Sequence, residues 1–420
     1  MRFDLARPEG ATRRPPASGP IVLVVPTFPK LSETFVVRHA VGLVERGWDV
    51  QVVCRSSPTA AWRAFPGLDA TMAQRVHVAP PIARAEPTTV GRALGEGLRR
   101  PVALARAIGR RGLRRGVARR LADQPIRALR PRLIHFEFGT LALEQADLAA
   151  AAGCHVITSF RGFDLNFAGL ETEGYYDPLW PHLDAAHLLG EDLWRRALAR
   201  GCPEDLPHAL IPPALDPDSY PPRHSSRAGG PLRVLSVGRL EWKKGTEHAL
   251  QAVAMLRQAG VDCRLRIVGE GAHLPAVTYA CHDLGLSDAT ELLGARPHAE
   301  VIEEMRAADI FLHLAVSEGF CNAVLEAQAV GLPVVCSDAD GLRENVDDAT
   351  TGFVVPRRRP ERAAEALQRL ANDPELRGRM GAAGRARVRR HFTLDRQLDA
   401  FESFYHQVLD RPPRAGGGAR

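Results

Sequence analysis

The chain has 420 residues, of which 45% are hydrophobic and 25% are charged, so it has the proportions of a globular protein and not of a disordered chain. This length predicts two domains, each with its own hydrophobic core. Seven cysteines stand singly, without a C-x-x-C pair or a histidine cluster at metal spacing, and they predict reduced thiols and no structural metal site.

Neither a targeting segment nor a membrane span is expected. The first residues, Met1 to Pro8, mix Arg, Asp and Pro and form no apolar stretch. The strongly apolar runs, such as 21–25, are far shorter than the roughly 20 residues that cross a bilayer as a helix. We therefore expect a cytoplasmic protein in which residues 1–19 form a flexible lead-in.

Short β-branched runs alternate with helix-length amphipathic segments from residue 21 onward, which is typical of parallel sheets with crossover helices. A strand at 21–25 leads to Ser32, a candidate N-cap, and to Glu33 in the first turn of a helix that ends near Gly47. Further strands are predicted at 50–53, 133–136 and 155–158. The fold class is α/β, and residues 20–212 are predicted to form the first Rossmann-like domain.

A basic segment interrupts the first half, with nine arginines and no acidic residue between Gly97 and Ala122. Its arginines, from Arg99 to Arg120, are interleaved with apolar residues at about helical spacing, and this pattern predicts binding to an anionic membrane surface or an acidic polymer. A solvated helical face is the alternative. Nucleic acid is not expected as a partner, because no aromatic residue is interleaved and no known binding signature appears.

The composition changes around Ile211, where Pro, Ser and Gly become dense, and residues 213–231 are predicted to link two domains. A second α/β series follows in residues 232–390 and includes a helix at 246–260. Its strands are predicted at 233–237, 263–268, 309–314 and 334–336. The remaining segments are a C-terminal helix within 391–410 and a disordered tail at 411–420.

The loop after the strand at 233–237 combines glycines with cations in the order Gly238-Arg239-Leu-Glu-Trp-Lys243-Lys244-Gly245. Ligands bind at the carboxyl ends of strands in such sheets, where arginine offers a planar fork and lysine a compact charge to phosphate oxygens. The loop is therefore a candidate pyrophosphate site. A structural surface loop is the alternative.

A second candidate site begins at Glu318 and continues into a helix predicted from about Phe320, whose N-terminal N–H groups favour an anion. Glu326 lies within this helix in the otherwise apolar run 323–335, where a carboxylate costs several kcal/mol unless it is paired. A pair of ligand hydroxyls would satisfy it. One alternative is a hydrolase pair, whose carboxylates normally flank one bond from separate elements. A structural carboxylate is the other.

Together these residues resemble a known family, the retaining glycosyltransferases of the two-domain B type, whose hallmark is E-x7-E. Here the hallmark is Glu318 to Glu326, embedded in S-E-G-F-C-N-A-V-L-E-A and followed by G-L-P-V-V. The similarity covers nearly the whole chain. It includes G-R-L-E-W-K-K-G at 238–245, V-G-E-G at 268–271, T-G-F-V-V-P at 351–356 and P-T-F-P-K-L-S-E-T-F at 26–35. The resemblance implies two Rossmann-like domains that face each other across a cleft.

The resemblance also implies the residues that bind the donor. Arg239 and Lys244 would hold the diphosphate and assist its departure. Glu326 would bind the ribose hydroxyls, and Glu318 would orient the transferred sugar. The other donor-side residues that it implies are Gly269, Glu270, Gly319, Phe320, Cys321 and Asn322. The family usually has a further glycine or proline near Cys321 and Asn322, so the chain departs from the family pattern there.

The first domain holds the candidate acceptor-side residues. Arg161, in the segment T-S-F-R-G-F-D at 158–164, takes the place of a histidine that is common in the family. It stays protonated and cannot act as a base, but it would stabilise negative charge on a departing phosphate. A structural ion pair with Asp164 is the alternative. The remaining acceptor-side candidates are Ser32, Glu33, His135 and Glu137, and for the last two a structural role is the alternative.

The resemblance implies transfer of a sugar from a nucleotide-diphosphate-sugar to a hydroxyl, with retention at the anomeric carbon. The acceptor would be a glycan or a lipid-linked molecule of polysaccharide, cell-envelope or glycolipid synthesis, at the inner face of the membrane. No cofactor is expected and no metal is assigned, because fixed cations would stabilise the leaving diphosphate. The alternatives are a nucleotide-sugar epimerase of the same architecture and a non-catalytic binding module, against which the intact Glu318 and Lys244 argue.

Overall fold

The computed structural model describes residues 1–3, 5, 19–30, 33–65, 68–79, 123–145, 148, 153–224 and 229–414. The chain divides into two compact units. Unit 1 consists of Met1–Leu188, Arg196–Ile211 and Leu398–Arg420, and unit 2 consists of Leu189–Arg195 and Pro212–Gln397. The chain therefore returns to unit 1 within its last helix.

Unit 1 is built on a seven-stranded sheet in the order β3-β2-β1-β4-β5-β6-β7, and every neighbouring pair is parallel. Its strands are β1 Ile21–Thr27, β2 Val50–Ser56, β3 Val76–Val78, β4 Leu133–Phe136, β5 His155–Phe160, β6 Ala185–Leu188 and β7 His208–Leu210. The strand order reverses between β1 and β4. In doubly wound sheets, ligands bind beyond the carboxyl ends of the strands at this switch point.

The helices that connect these strands are short, apart from the first and the last. Within the described residues they include Thr34–Glu45, Thr59–Trp62, Ala70–Gln74, Gly139–Glu144, Gly162–Asn166, Glu191–Ala199 and Leu394–Leu409, with a 3₁₀ turn at Trp180–His182. In the first of them, Val36, Ala40 and Leu43 recur at helical spacing and are buried. The same spacing in the last helix buries Phe401, Phe404 and Val408 in the core cluster of unit 1.

Unit 2 is built on a six-stranded sheet in the order β10-β9-β8-β11-β12-β13, again with parallel pairs throughout. Its strands are β8 Leu232–Val237, β9 Cys263–Val268, β10 Thr290–Gly294, β11 Ile310–His313, β12 Val334–Ser337 and β13 Gly352–Val355. The order reverses between β8 and β11. The loops that follow these two strands carry the predicted donor residues.

The helices of unit 2 cover its sheet and form a separate core cluster with it. They are Thr246–Gln258, Leu274–Asp283, His298–Ala307, Asn322–Val330, Pro360–Asn372 and Pro374–His391, with 3₁₀ turns at Pro217–Ser219, Trp242–Lys244 and Asp340–Glu344. The two sheets confirm the predicted α/β class with two Rossmann-like sheets. The helix predicted from about Phe320 begins at Asn322, with Cys321 as its N-cap residue.

All the strands predicted from the sequence are present, and those at 133–136 and 263–268 have the predicted bounds. Five strands were not predicted, namely β3, β6, β7, β10 and β13. They have only three to five residues, too few for a distinct periodic pattern. The first helix begins at Thr34, and Glu33 is its N-cap residue without a side-chain capping bond.

The described residues at the two ends of the chain pack on unit 1, and most of the predicted flexible lead-in and disordered tail lies outside the described residues. Phe3 is buried and its backbone N–H donates to the His208 carbonyl at 2.9 Å. The Arg411 guanidinium lies 4.6 Å from the centre of the Phe3 ring. The backbone N–H of Arg414 donates to Asp184 Oδ1 at 2.6 Å. Both ends therefore extend the packing of unit 1.

The predicted linker at 213–231 is also packed in its described part. The Leu215 N–H donates to the Phe392 carbonyl at 3.0 Å, and the Arg223 N–H donates to the Val330 carbonyl at 2.7 Å. The Tyr220 side chain is buried. Proline and glycine content therefore identified the irregular backbone here, but not its attachment to unit 2.

Two predictions fall partly or wholly outside the described residues. The basic segment from Arg99 to Arg120 lies outside them, and so does Ser32. Among the helices in the described part of the chain, none is both long enough and apolar enough to cross a membrane.

Candidate functional site

The loop after β8 comes into close backbone contact with two neighbouring loops. Gly269 has φ +143°, and a Cβ there would lie 1.9 Å from the Gly238 carbonyl oxygen. Gly245 has φ +60°, and a Cβ there would lie 2.0 Å from the Leu314 carbonyl oxygen. Only glycine fits either position, so these residues bring the loops after β8, β9 and β11 together.

Lys244 and Glu318 form an ion pair at the meeting point of these loops. Their side chains are 16% and 15% exposed. Burial alone would raise the pKa of Glu318, but Lys244 and His313 lower it from 4.5 to about 2. Burial likewise opposes the charge on Lys244, yet Glu318 raises the pKa of that ammonium. Both groups are therefore charged over the whole physiological pH range.

His313, the last residue of β11, lies next to Glu318 of this pair, and it is 2% exposed. Its Nε2 lies 3.5 Å from Glu318 Oε2 and 3.5 Å from Cys321 Sγ. Burial favours a neutral imidazole, but Cys321 and Glu318 outweigh it and raise the pKa of His313 to about 9. The sequence pattern did not single out His313, which is a second buried cation at this site.

The segment that carries Glu318 is held in place by two side chains from the following loop. Asp340 accepts hydrogen bonds from Ser317 Oγ at 2.6 Å and from the Glu318 N–H at 3.2 Å. Asn345 accepts from the Cys321 N–H and donates to the Cys321 carbonyl, both at 3.0 Å. The backbone just before the helix Asn322–Val330 is therefore fixed from both sides.

Glu326, eight residues after Glu318, is paired in the way that its apolar surroundings require. Tyr220 Oη donates to Glu326 Oε1 at 3.2 Å, and His298 Nε2 lies 3.2 Å from the same oxygen. The Glu326 side chain is 19% exposed. It combines an anchored carboxylate with access for a ligand, and Tyr220 and His298 are residues that the sequence did not indicate.

The other predicted donor residues occupy the rim of this site. Arg239 is 66% exposed and pairs with Glu241 at 3.0 Å. The Glu270 carbonyl accepts from the Leu240 N–H at 2.8 Å, and Glu270 Oε1 accepts from the Ala295 N–H at 3.3 Å. Gly319 contacts Gly341 closely, because a Cβ on Gly341 would lie 2.0 Å from the Gly319 carbonyl oxygen.

In unit 1 the Arg161 side chain binds Glu137 and not Asp164, the partner considered as the structural alternative. Arg161 Nη2 donates to Glu137 Oε2 at 2.6 Å, and Arg161 Nε donates to the Glu137 carbonyl at 3.1 Å. The guanidinium also lies 3.9 Å from the centre of the Phe35 ring. Arg161 and Glu137 thus form an ion pair at the carboxyl ends of β4 and β5.

Asp164 has a structural role at the start of the helix Gly162–Asn166. Its Oδ2 accepts from the Arg161 N–H at 2.9 Å, and its Oδ1 accepts from the Thr140 N–H at 3.0 Å. Burial raises the pKa of this carboxyl group. His135 is fully buried, a position that favours a role inside the core over the predicted contact with an acceptor. Glu33 pairs with Lys30.

Residues 222–387 match the family model described as glycosyl transferases group 1. This region of the chain therefore has the sequence pattern of that family. The chain is 31% identical over 271 residues to the amylovoran biosynthesis glycosyltransferase AmsK of Erwinia amylovora, a match over 62% of this chain and 66% of that relative. It is 31% identical over 228 residues to the D-inositol 3-phosphate glycosyltransferase of Corynebacterium jeikeium strain K411, over 50% of this chain and 54% of the relative. The chain thus spans less than two thirds of the length of either relative.

Two solved structures have the same fold as this chain. The sucrose-phosphate synthase of Thermosynechococcus elongatus superposes with a TM-score of 0.72 at 19% identity, over 93% of this chain and 99% of that one. HepE of Anabaena, solved in complex with UDP and glucose, superposes with a TM-score of 0.70 at 15% identity, over 93% of this chain and 100% of the other. These matches identify the B-type glycosyltransferase fold.

Two Asp-x-Asp pairs in the sequence bear on the prediction that the reaction needs no metal. The pairs are Asp216 with Asp218, and Asp338 with Asp340. Their carboxylates bind turn residues and arginines: Ser219 Oγ at 2.6 Å from Asp216, and Arg357 Nη1 at 3.0 Å from Asp340. Arg389 pairs with Asp218, and Arg343 with Asp338, each at 2.9 Å.

Within the described part of the chain, two groups bring three metal-type donor atoms within 4.8 Å of one another. They are His39 with His135 and Glu137, and His313 with Glu318 and Cys321. In each group the atoms already contact other protein atoms, as the Lys244 ammonium does on Glu318. We therefore assign a metal to neither group.

Proposed function

We propose that this group 1 glycosyltransferase transfers a hexosyl group from a nucleotide-diphosphate-sugar to a hydroxyl, with retention at the anomeric carbon. The observation that carries the proposal is the buried Lys244–Glu318 pair, held where the loops after β8, β9 and β11 meet. A cation and an anion fixed side by side suit a ligand that has both a diphosphate and sugar hydroxyls. AmsK, a relative, is named as a biosynthetic glycosyltransferase.

Lys244 and Arg239 are the groups proposed to hold the diphosphate. Lys244 already lies in a fixed position, whereas Arg239 is exposed and able to swing onto the ligand. His313 adds a buried positive charge near the same place, at 3.5 Å from Glu318. Fixed cations of this kind stabilise the charge that develops on a leaving diphosphate without any rearrangement during the reaction.

The two glutamates are proposed to bind the sugar and the ribose of the donor. Glu318 is held ionised by Lys244 and His313, so it accepts hydrogen bonds from hydroxyls of the transferred sugar. Glu326 is anchored through one carboxylate oxygen by Tyr220 and His298 and is proposed to bind the two ribose hydroxyls. The backbone from Gly319 to Asn322 would contribute amide N–H groups.

The reaction is proposed to need neither a metal ion nor a cofactor. The charges of Lys244, Arg239 and His313 would take the place of a divalent cation on the diphosphate. The Asp-x-Asp carboxylates support this view, since arginines and turn residues already bind them. HepE is described in complex with UDP-glucose as well as with UDP, and a uridine donor is therefore one of those to be tested first.

Unit 1 is proposed to bind the acceptor, with Arg161 and Glu137 at the ends of β5 and β4. The proposed acceptor is a glycan or lipid-linked molecule of exopolysaccharide, cell-envelope or glycolipid synthesis, at the cytoplasmic face of the membrane. The name of the relative AmsK, which refers to amylovoran biosynthesis, supports a polysaccharide. The basic segment from Arg99 to Arg120 would bring the enzyme to an anionic membrane.

A donor panel tests this function directly. UDP-, GDP-, ADP- and dTDP-sugars are each added to the purified protein, and a true donor should raise the melting temperature by mass action. The donor is then incubated with acceptor, and the anomeric configuration of the product is read by NMR. Glu318→Gln should lose transfer, while Glu375→Gln, at a carboxylate that is 89% exposed, should not. A product of inverted configuration, or an epimer formed from the donor alone, would contradict the proposal.

A further inference from the structure

A continuous chain of buried hydrogen bonds runs through unit 1 from β6 towards β4. His187 Nε2 lies 2.9 Å from the Ile211 carbonyl oxygen, which can only accept a hydrogen bond. His187 Nδ1 lies 2.7 Å from Ser159 Oγ, and Ser159 Oγ lies 2.7 Å from His135 Nε2. These three side chains are at most 2% exposed.

The chain continues through the last helix and ends on Glu137. His135 Nδ1 lies 2.7 Å from Tyr405 Oη, and Tyr405 Oη lies 3.1 Å from His39 Nε2. His39 Nδ1 lies 2.9 Å from Glu137 Oε1. The other carboxylate oxygen of Glu137 binds Arg161 at 2.6 Å.

A count of protons shows that neutral side chains cannot make all these bonds. There are six hydrogen bonds between the Ile211 carbonyl and the Glu137 carboxylate, and each needs one proton. Three neutral imidazoles, one serine hydroxyl and one tyrosine hydroxyl supply one proton each, which makes five. The count does not depend on the tautomer of any ring. One further proton must therefore be bound by one of these hydrogen-bonded side chains.

The neighbours of each group indicate where this proton lies. Burial lowers the pKa of His135 and of His187 to about 3, so both are neutral. Although burial opposes its ionisation, the pKa of Glu137 lies well below 4.5, and its two carboxylate oxygens bind His39 at 2.9 Å and the Arg161 guanidinium at 2.6 Å. His39 remains, and it is in direct contact with the ionised carboxylate.

We propose that the hydrogen-bonded chain holds one proton in excess of its neutral side chains, as an imidazolium at His39, which together with Arg161 clamps the Glu137 carboxylate. In this arrangement His39 is a positioning residue for Arg161, because it fixes the carboxylate on which the guanidinium rests. The effect on transfer rests on the proposed function, whereas the protonation of His39 does not.

Titratable groups face His39 from several elements. His135 lies on β4, and Glu137 follows that strand. Arg161 follows β5, and His187 lies on β6. Tyr405 comes from the last helix, which also carries the buried Glu402. The Glu402 carboxylate binds Arg46 Nη1 and Trp48 Nε1, each at 3.0 Å. Among the carboxylates named here, Glu137 is the one bonded to His39.

The first experiment observes the proton directly in the full chain. Histidines are labelled with ¹⁵N, the His39 signals are assigned with the His39→Gln variant, and the protonation of each ring is read at pH 7.5 from its two nitrogen shifts. We expect both nitrogens of His39 to be protonated, and one bare nitrogen each in His135 and His187. A neutral His39 would overturn the proposal, whether or not the enzyme turns over a donor.

An isosteric variant tests the count in a second way. In Glu137→Gln the amide N–H₂ can donate to His39 Nδ1 and so supply the sixth proton, and His39 should become neutral while His135 and His187 keep their tautomers. Because glutamine matches glutamate in size, this variant should fold. If His39 remains an imidazolium in Glu137→Gln, then the need for a sixth proton in the hydrogen-bonded chain is not the cause of its charge, and the proposal is refuted.

The third experiment follows unfolding against pH. Above about pH 6.5 a histidine in the unfolded protein is mostly neutral, whereas His39 in the folded protein is proposed to keep its proton. The folded protein then binds one proton more, so its free energy of unfolding falls as pH rises. Relative to His39→Gln, the unfolding equilibrium constant of the wild type should therefore increase as pH rises above about 7. His77→Gln, on β3, is the control and should stay parallel to the wild type. Parallel curves for His39→Gln and the wild type would refute the inference.

The functional consequence has its own readout. With a donor and acceptor in hand, His39→Gln should change the pH profile of kcat/KM for the acceptor and leave KM for the donor unchanged, since donor contacts lie in unit 2. A loss of transfer with an unchanged pH profile would show a structural role alone. The NMR result would stand in either case and keeps this inference separate from the proposed function.

Discussion

Replacing Lys244 by alanine is the sharpest test of the donor site. The Lys244 side chain is 16% exposed and its ammonium is paired with Glu318, so its removal takes away a fixed charge in a region largely shielded from water. Loss of one such contact to a leaving group costs about 10²-fold or more in transfer, or roughly 2.7 kcal/mol at 1.36 kcal/mol per factor of ten. The loss should appear in kcat as well as in kcat/KM, because the charge on the diphosphate grows in the transition state.

The same substitution has a limited effect on folding, which the structure also predicts. Breaking a buried ion pair costs about 3–5 kcal/mol when the remaining charge is left alone. Glu318 keeps His313 at 3.5 Å, so the free energy of unfolding should fall by less than about 3 kcal/mol. Urea unfolding measures this, and donor kinetics are compared with Lys243→Ala, a neighbouring lysine that pairs with Glu241. Unchanged kinetics in Lys244→Ala, or an equal loss in Lys243→Ala, would refute the assigned role.

Four further predictions follow from the described site and from the sequence. The pKa of His313 is raised to about 9, so its stabilising contribution is complete below about pH 6.5 and is lost as pH rises through 9; melting temperatures should fall more steeply with pH than in His313→Gln. Gly269→Ala should destabilise unit 2 by about 2 kcal/mol or more, whereas Gly378→Ala, with open space around it, should not. Transfer should continue in excess EDTA, and loss of activity that Mn²⁺ or Mg²⁺ restores would contradict a metal-free mechanism. Replacing the arginines from Arg99 to Arg120 should abolish salt-sensitive sedimentation with anionic liposomes, and equal pelleting with neutral vesicles would argue against membrane binding.

Local patterns carried much of the information about the fold. Alternating β-branched and amphipathic segments predicted two parallel α/β units, because the hydrophobic periods of strands and helices can be recognised within short stretches of sequence. The loop from Gly238 to Gly245 and the spacing from Glu318 to Glu326 are equally local, and both lie within unit 2. Five short strands were not predicted, and four of them, β3, β7, β10 and β13, lie at the edges of the two sheets.

The tertiary structure decided which partners each candidate has. Tyr220 and His298 contact Glu326 although they lie 106 and 28 residues away from it in sequence. Such contacts depend on the order of strands in a sheet, which neighbouring residues do not encode.

Unit 1 shows the same division between sequence and structure. The sequence by itself determined that Arg161 follows a strand and that His135 and Glu137 lie on another, and it suggested Asp164 as a partner for the arginine. The parallel pairing of β4 with β5 instead places Glu137 against Arg161, and the last helix brings Tyr405 to His39 and His135. A carboxylate between two cations is stable in the core, and only the packing of elements that are distant in sequence brings these charges together.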